Sequence, residues 1–379
     1  MSLRVECHPV LNLEDTLIER WRRLEDRALE PNAFLSPSFV LPAVRNLCPG
    51  KRPFAILVFL ASGGGNHLVG AGVFDRLRAS RIFPLPHVAA FVAPQETFMT
   101  GLLLDRDHAD PAAESILAAL AGLPGTHGIV FEQRCLNSAQ GELLAAVSRR
   151  LGFPWTGKDY SRPILDRNEM PPDYPRGFLS RNSLKKRRRG LRELQQKGEL
   201  VFKFHDSTAL DNQDEILNEF MRLEHMGWKA DAGTSLLSTP SRTRFFQEMC
   251  KAFSQSGQLL WSQTSVGGTV ISSTCNLVSG RCGFAYKLGW DTDYADARPG
   301  MLQEVELAKT FQRGLSELEA FDSCVDEGSF LTGLWSGRRT VSSGVFAVSR
   351  SGELLARTLA RVRRLKQQGK ASTKGGFKQ

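Results

Sequence analysis

One order of elements is legible twice in the 379 residues: two helices, a β-hairpin, a helix and a strand, the second set offset from the first by roughly 200 positions. In the first set Leu17, Trp21, Leu24 and Ala28 recur at helical spacing within 14–29, and a shorter helix is expected over 37–47. Strands 54–60 and 67–74 flank Gly63-Gly64-Gly65-Asn66, where glycine accepts positive φ without steric cost, so the pair reads as a hairpin. Asp110 as N-cap and Pro111 at the first helical position open a helix to about Leu123. A strand over 128–132 and a helix over 139–151 follow. The second set has helices over 214–228 and 241–253, then an antiparallel meander of strands 258–264, 269–278 and 281–288, turning at Gly267-Gly268 and Ser279-Gly280. A helix opens at Pro299-Gly300 and runs to Arg313, delivering the chain to a strand over 318–321. A duplicated unit is expected, spanning 1–165 and 166–345, with the Gly-, Pro- and Arg-rich stretch 162–181 as the connection.

The apolar pattern sets limits on partners. The longest uninterrupted apolar stretch, Pro53 to Leu60, falls far short of the roughly 18 to 20 residues of a membrane-spanning helix. The first nine residues lack a secretory apolar region, so a cytoplasmic location is expected. Seven cysteines (Cys7, Cys48, Cys135, Cys250, Cys275, Cys282, Cys324) include no Cys-x-x-Cys pair, and the histidines are scattered singly. Reduced thiols and no metal are the expectation. The net charge of +9 is concentrated at the C-terminus: nine basic residues against Glu353 in 346–379 give +8, leaving the body near neutral. That segment reads as a disordered basic tail making only weak, salt-sensitive contact with polyanions or acidic membrane surfaces, and no specific nucleic acid is expected.

Four segments carry candidate chemistry, each with a plain structural alternative. At Arg298-Pro-Gly300-Met301-Leu302 a helix N-terminus with unpaired amides, next to a guanidinium, suits a phosphate; Pro299 and Gly300 would equally shape a tight turn. The helix beginning near Ser183 and stopping at Gly198 has an apolar seam of Leu184, Leu191 and Leu194, and a basic face of Lys185, Arg188, Arg189 and Arg192. That face fits an anionic acceptor or RNA, or is simply solvated. His225 and Trp228, three apart on a helix, either line an acceptor pocket or are a surface His beside a packed Trp. Asp322 ends a strand, where a carboxylate orients or deprotonates an amine, or caps a loop.

Together these segments resemble the CelD-like acetyltransferases of the GNAT superfamily, relatives of the Fem-type peptidyltransferases that use two tandem GNAT units. The features that carry the resemblance are the Lys and Arg helix with its closing glycine, Glu224-His225-Met-Gly-Trp228, the Gly268 hairpin, and Tyr286 to Gly300 with the helix after it. The resemblance implies an α/β (α+β) fold of two tandem GNAT-like units, each a mixed, largely antiparallel sheet flanked by helices, with an acyl-CoA in the splay of the second. It implies direct attack by the acceptor on the thioester, with Asp322 and Tyr286 as catalytic candidates. Arg298, Gly300, Met301 and Leu302 would hold the acyl-CoA, acetyl-CoA or another, and Arg188, Arg192, His225 and Trp228 the acceptor. A sugar, lipid or envelope-polymer precursor is the implied acceptor, as in polysaccharide biosynthesis. An aminoacyl-tRNA donor is the alternative. A non-catalytic binding module is another, because Phe330-Leu331 stand where relatives carry a Tyr-Lys pair. The first unit is expected to be a scaffold, since Asp105, Asp107 and Asp110 crowd the approach to its helix.

Overall fold

The computed structural model describes residues 2–62, 65–206, 213–226, 228–315, 317–326 and 328–361. The first half contains β1 (Leu3–Pro9), α1 (Asp15–Asp26), α2 (Pro37–Leu47), β2 (Phe54–Ser62), β3 (Gly65–Leu77), β4 (His87–Ala90), β5 (Leu103–Leu104), α3 (Ala109–Ala121), β6 (Gly128–Cys135), α4 (Ala139–Arg150) and β7 (Trp155–Asp166). The second contains α5 (Arg181–Lys197), β8 (Leu200–Asp206), α6 (Gln213–Glu224), α7 (Trp228–Asp231), α8 (Pro240–Gln255), β9 (Leu259–Val266), β10 (Thr269–Ser279), β11 (Cys282–Trp290), α9 (Pro299–Arg313), β12 (Ala320–Asp322) and β13 (Gly337–Ala347). Residues 350–361 are helical.

Among the described residues thirteen strands form one sheet, ordered β1-β2-β3-β4-β6-β13-β7-β12-β11-β10-β9-β8, with β5 paired to β3 off this path. Read inward from either end, each half contributes an antiparallel run that closes on a parallel pair: β4 with β6, and β11 with β12. The helix that connects each parallel pair is α3 or α9, as a parallel connection requires. The sixth strand on each side is exchanged. β7, from the first half, pairs with β12 of the second, and β13, from the second, pairs with β6 of the first; the two pair with each other in the middle. The stretch read as a connection from 162 therefore begins inside a strand, and Arg162 is fully buried there.

The halves also share a core. α2 starts with Ser36 as N-cap, accepting from the Ser38 amide, and Pro37 at the first position; residues 37–44 are all buried. Its Phe39 meets Phe245 of α8 edge-on at 5.6 Å, and Phe34 meets Phe284 of β11 at 5.8 Å. Apolar surface on every side of α2 leaves it nowhere to go but between the two units.

Three local expectations are corrected. α5 is capped by Ser180, whose hydroxyl accepts from the Ser183 amide at 3.1 Å, so the cap lies three residues before Ser183. In α3 His108 is the N-cap position and Asp110 lies within the first turn, ion-paired to Arg150. The basic tail begins later than residue 346. Phe346 and Ala347 close β13 in the core, Ala356 is buried and Leu355 and Leu359 pack beside it against Phe83, Ala89 and Val130. The remainder of the tail, 362–379, lies outside the described residues.

Candidate functional site

The parallel register of β11 and β12 ends at Phe284 opposite Asp322, and β11 runs on to Trp290 while the other chain leaves as Ser323 to Asp326. The splay opens a cleft of ≈ 660 Å³. One wall is Ala285 to Leu288 and Trp290, the other is Ser323 to Asp326 with Phe330 and Leu331, and Glu304 of α9 closes the back. A bulge on β11 leaves Tyr286 unopposed, between Ala285 against Asn276 and Lys287 against Cys275. Strict alternation would send Tyr286 and Lys287 to opposite faces; the extra residue lets both serve one carboxylate.

That carboxylate, Glu96, comes from the first half. It is fully buried, accepting from the Tyr286 hydroxyl, from Lys287 Nζ at 3.0 Å and from Arg242 Nη1 at 2.9 Å. It sits on the segment between β4 and α3, whose Gln95 and Phe98 also line the cleft. The same segment folds back into its own unit, where Gln140 of α4 clamps the Leu102 backbone through both amide and carbonyl. One loop thus fills the first unit and walls the second.

Two further carboxylates face the cleft from helices. Glu224 ends α6 and accepts from Lys229 Nζ at 3.1 Å and the Leu236 amide at 2.8 Å; Lys229 also donates to the Leu288 carbonyl. Burial pulls the Lys229 ammonium below the usual lysine range, and the Glu224 charge opposes this. Glu304 is 3% exposed, and its Oε2 has no hydrogen-bond partner. Burial alone pushes its carboxyl up to about 8.

The residues singled out in the sequence fall in different places. Asp322 is completely buried and holds Arg339 at 2.9 Å, Arg162 at 3.3 Å and the Cys324 amide at 2.8 Å. Its oxygens are occupied by the exchanged strands rather than turned to the cleft. Tyr286 does line the cleft, with its hydroxyl directed to Glu96 and its pKa raised far above the usual phenol by burial and that carboxylate. Arg298 caps α9 in a left-handed conformation (φ 59°) with its side chain exposed, and the Gly300 and Met301 amides fall in the helix's first turn. The glycine at 300 has a packing cause: a Cβ there would lie 3.0 Å from Leu288 Cδ2 and 3.3 Å from Trp290. Leu302 packs with Leu194, Val266 and Ile271, so only its backbone is near that turn, and Met301 is half-buried.

Arg188 and Arg192 are exposed on α5, where with Lys185, Arg189, Glu193 and Gln196 they border a groove of ≈ 360 Å³. α5 lies against the approach to α9: Gly190 is close enough to the Ala297 carbonyl that a Cβ would stand 2.3 Å from it. His225 turns outward to Ser235 Oγ at 2.7 Å, and its neighbour Glu224 takes the inward position. Trp228 begins α7. Glu304 carried a signal that was passed over, since it falls in the apolar stripe of Met301, Ala308 and Phe311 at spacings of three, four and seven. Glu96 carried none, being 190 residues from Tyr286.

Residues 181–324 match the acetyltransferase (GNAT) domain family. Among solved structures the chain is similar to FemX, with a TM-score of 0.58 at 11% identity over 95% of this chain and 100% of that one. It is similar to the C-terminal domain of an Agrobacterium fabrum protein assigned as a lysylphosphatidylglycerol synthetase, at 0.53 and 12% identity over 91% and 96% of the two chains. A conserved protein of unknown function from Bacteroides thetaiotaomicron gives 0.53 at 11% identity, over 88% and 98%. At such identities the likeness is one of fold. No curated protein matches the sequence. Among the described residues no helix is long and apolar enough to cross a membrane.

Proposed function

We propose, from the premise that residues 181–324 are an acetyltransferase (GNAT) domain, that this chain moves the acyl group of an acyl-CoA onto a primary amine of a sugar, lipid or envelope-polymer precursor. The observation that carries the reading is Glu304, a buried carboxyl with a free oxygen on the wall of the β11/β12 splay. The donor's phosphates would lie at the first-turn amides of Gly300 and Met301 beside Arg298, where unpaired N–H groups and the helix dipole favour an anion. Glu304 is one helical turn further along the same helix. The amine attacks the thioester carbonyl, Glu304 takes the proton that the amine loses, and the thiolate leaves with the electrons of the broken C–S bond. A carboxyl with a pKa near 8 is matched to an amine more closely than an ordinary glutamate.

The test is thiol release from acetyl-CoA across a set of amines, with kcat/KM followed against pH in the parent and in Glu304→Gln. The rate should climb with pH as the base and the amine ionise; the break near 8 that belongs to the base should vanish in the variant, which should lose about 10²- to 10⁴-fold in rate. A folded variant with parental rate removes Glu304 from the chemistry.

The basic groove on α5 favours a second reading, in which the acyl donor is an aminoacyl-tRNA. Its signature is RNA binding that weakens steeply with salt.

A further inference from the structure

The charges on one side of the cleft do not balance. Lys229, Lys287 and Arg242 supply three cations, with side chains 24%, 10% and 16% exposed, and Glu96 and Glu224 supply two carboxylates. Tyr286 keeps its proton and adds none. Among the described residues the wall therefore carries one uncompensated positive charge in a poorly hydrated setting, where a charge without a partner is expensive and a counter-charge is strongly attracted. Lys287 and Lys229 line the cleft, so the compensating group can come from there. Glu304 does not supply it. Its perturbation comes from burial alone, which sets it apart from the lysine side of the cavity. Asp326 is bonded to Gln133 at the exposed rim.

We propose that the Lys287 and Lys229 side of the cleft is a subsite for an anionic group of the acceptor, a carboxylate or a phosphate, so that the acceptor carries an anion at one end and its amine at the other. Glu96 is the positioning residue of this subsite. It fixes the Lys287 ammonium through a bond that crosses from one half of the chain to the other, with Tyr286 and Arg242 holding the carboxylate in turn. The first half thereby helps to select the acceptor, and its loop 95–98 is part of the second half's site. The assignment of the anion to an acceptor rests on the acyltransfer reading; the anion subsite itself does not.

The experiment is calorimetric titration of the full chain, without any acyl donor, using two matched pairs: β-alanine against ethylamine, and O-phosphoethanolamine against ethanolamine. At least one anionic member should bind about tenfold more tightly than its partner, as a desolvated charge contact provides. Whichever pair shows the difference tells carboxylate from phosphate. Two variants move it in opposite directions. Lys287→Met should erase the difference. Glu96→Gln keeps an oxygen that can accept from Lys287 Nζ and raises the excess from one positive charge to two, so it should widen the difference, whereas a narrower difference in the folded variant would overturn the charge argument. Circular dichroism confirms the fold of each. Equal binding within both pairs, a difference that survives in Lys287→Met, or no binding by any of the four compounds overturns the subsite. Because no donor is present, failure of acetyl-CoA turnover would strike the proposed reaction and leave this result standing.

Discussion

Replacing Glu304 by glutamine should change how stability depends on pH. The unfolded chain releases this proton near 4.5, whereas the folded chain holds it to about 8. Between those values the native state binds more protons than the unfolded state, so stability falls as pH rises and the loss is complete above about 8. At about 1.4 kcal/mol per pH unit the window sets a ceiling of about 5 kcal/mol, and local relaxation or water penetration lowers it. Glu25, buried between Ser36 and Ser279 and pushed up to about 7, adds a slope of the same sign, which cancels when parent and variant are compared. Urea unfolding of both at about pH 5 and about pH 9 isolates the effect. The variant should match the parent or fall slightly below it in acid, where a neutral carboxyl and an amide are similar, and exceed it by a few kcal/mol in base. A parent-to-variant difference that stays constant over this range would show that Glu304 is ionised and compensated in the fold, and would remove the physical basis for its role as base.

Asp322→Asn should act on folding rather than on a proton transfer. It leaves Arg162 and Arg339 buried beside a neutral group, and denaturation should show a loss of about 3 to 5 kcal/mol. Truncation after Ala347 should lower stability by roughly 2 kcal/mol, because it strips Leu355, Ala356 and Leu359 from the sheet; a Tm equal to the parent's would show that this packing adds nothing to stability. Gly300→Val should cost about 1 to 3 kcal/mol through its clash with Leu288 and Trp290, and so lower Tm along with any CoA affinity. Loss of affinity at unchanged Tm would show instead that the side chain at 300 intrudes on the phosphate.

How much was legible in the chain follows from the range of the interactions. Helices α1, α2, α4, α6, α8 and α9 and the meander β9-β10-β11 announce themselves by local periodicity and turn residues, and their repetition points to a tandem fold. β7 and β13 do not. Their strands are polar along much of their length, with Pro163 and Arg162 in one and Arg338 and Arg339 in the other, and they become strands because each finds its partners in the opposite half. The site divides in the same way. Tyr286 and the opening of α9 lie on a strand, a turn and a helix that follow one another in sequence, so local pattern brings them together. Glu96 was invisible because its partners are brought to it only by the packing of α2 and α8 and by the bulge at Tyr286. Asp322 was misjudged for a related reason: a strand-end carboxylate looks available until both guanidiniums that claim it, one from each exchanged strand, are in place.

A crystal structure of the chain with acetyl-CoA decides whether the acyl donor enters the β11/β12 splay with its phosphates at the start of α9. The expected complex has the pyrophosphate against the Gly300 and Met301 amides with Arg298 beside it, and the thioester reaching into the cleft past Trp290 toward Glu304. Acetyl-CoA seated against α3 of the first half, or a cleft that stays empty at saturating acetyl-CoA, would contradict it.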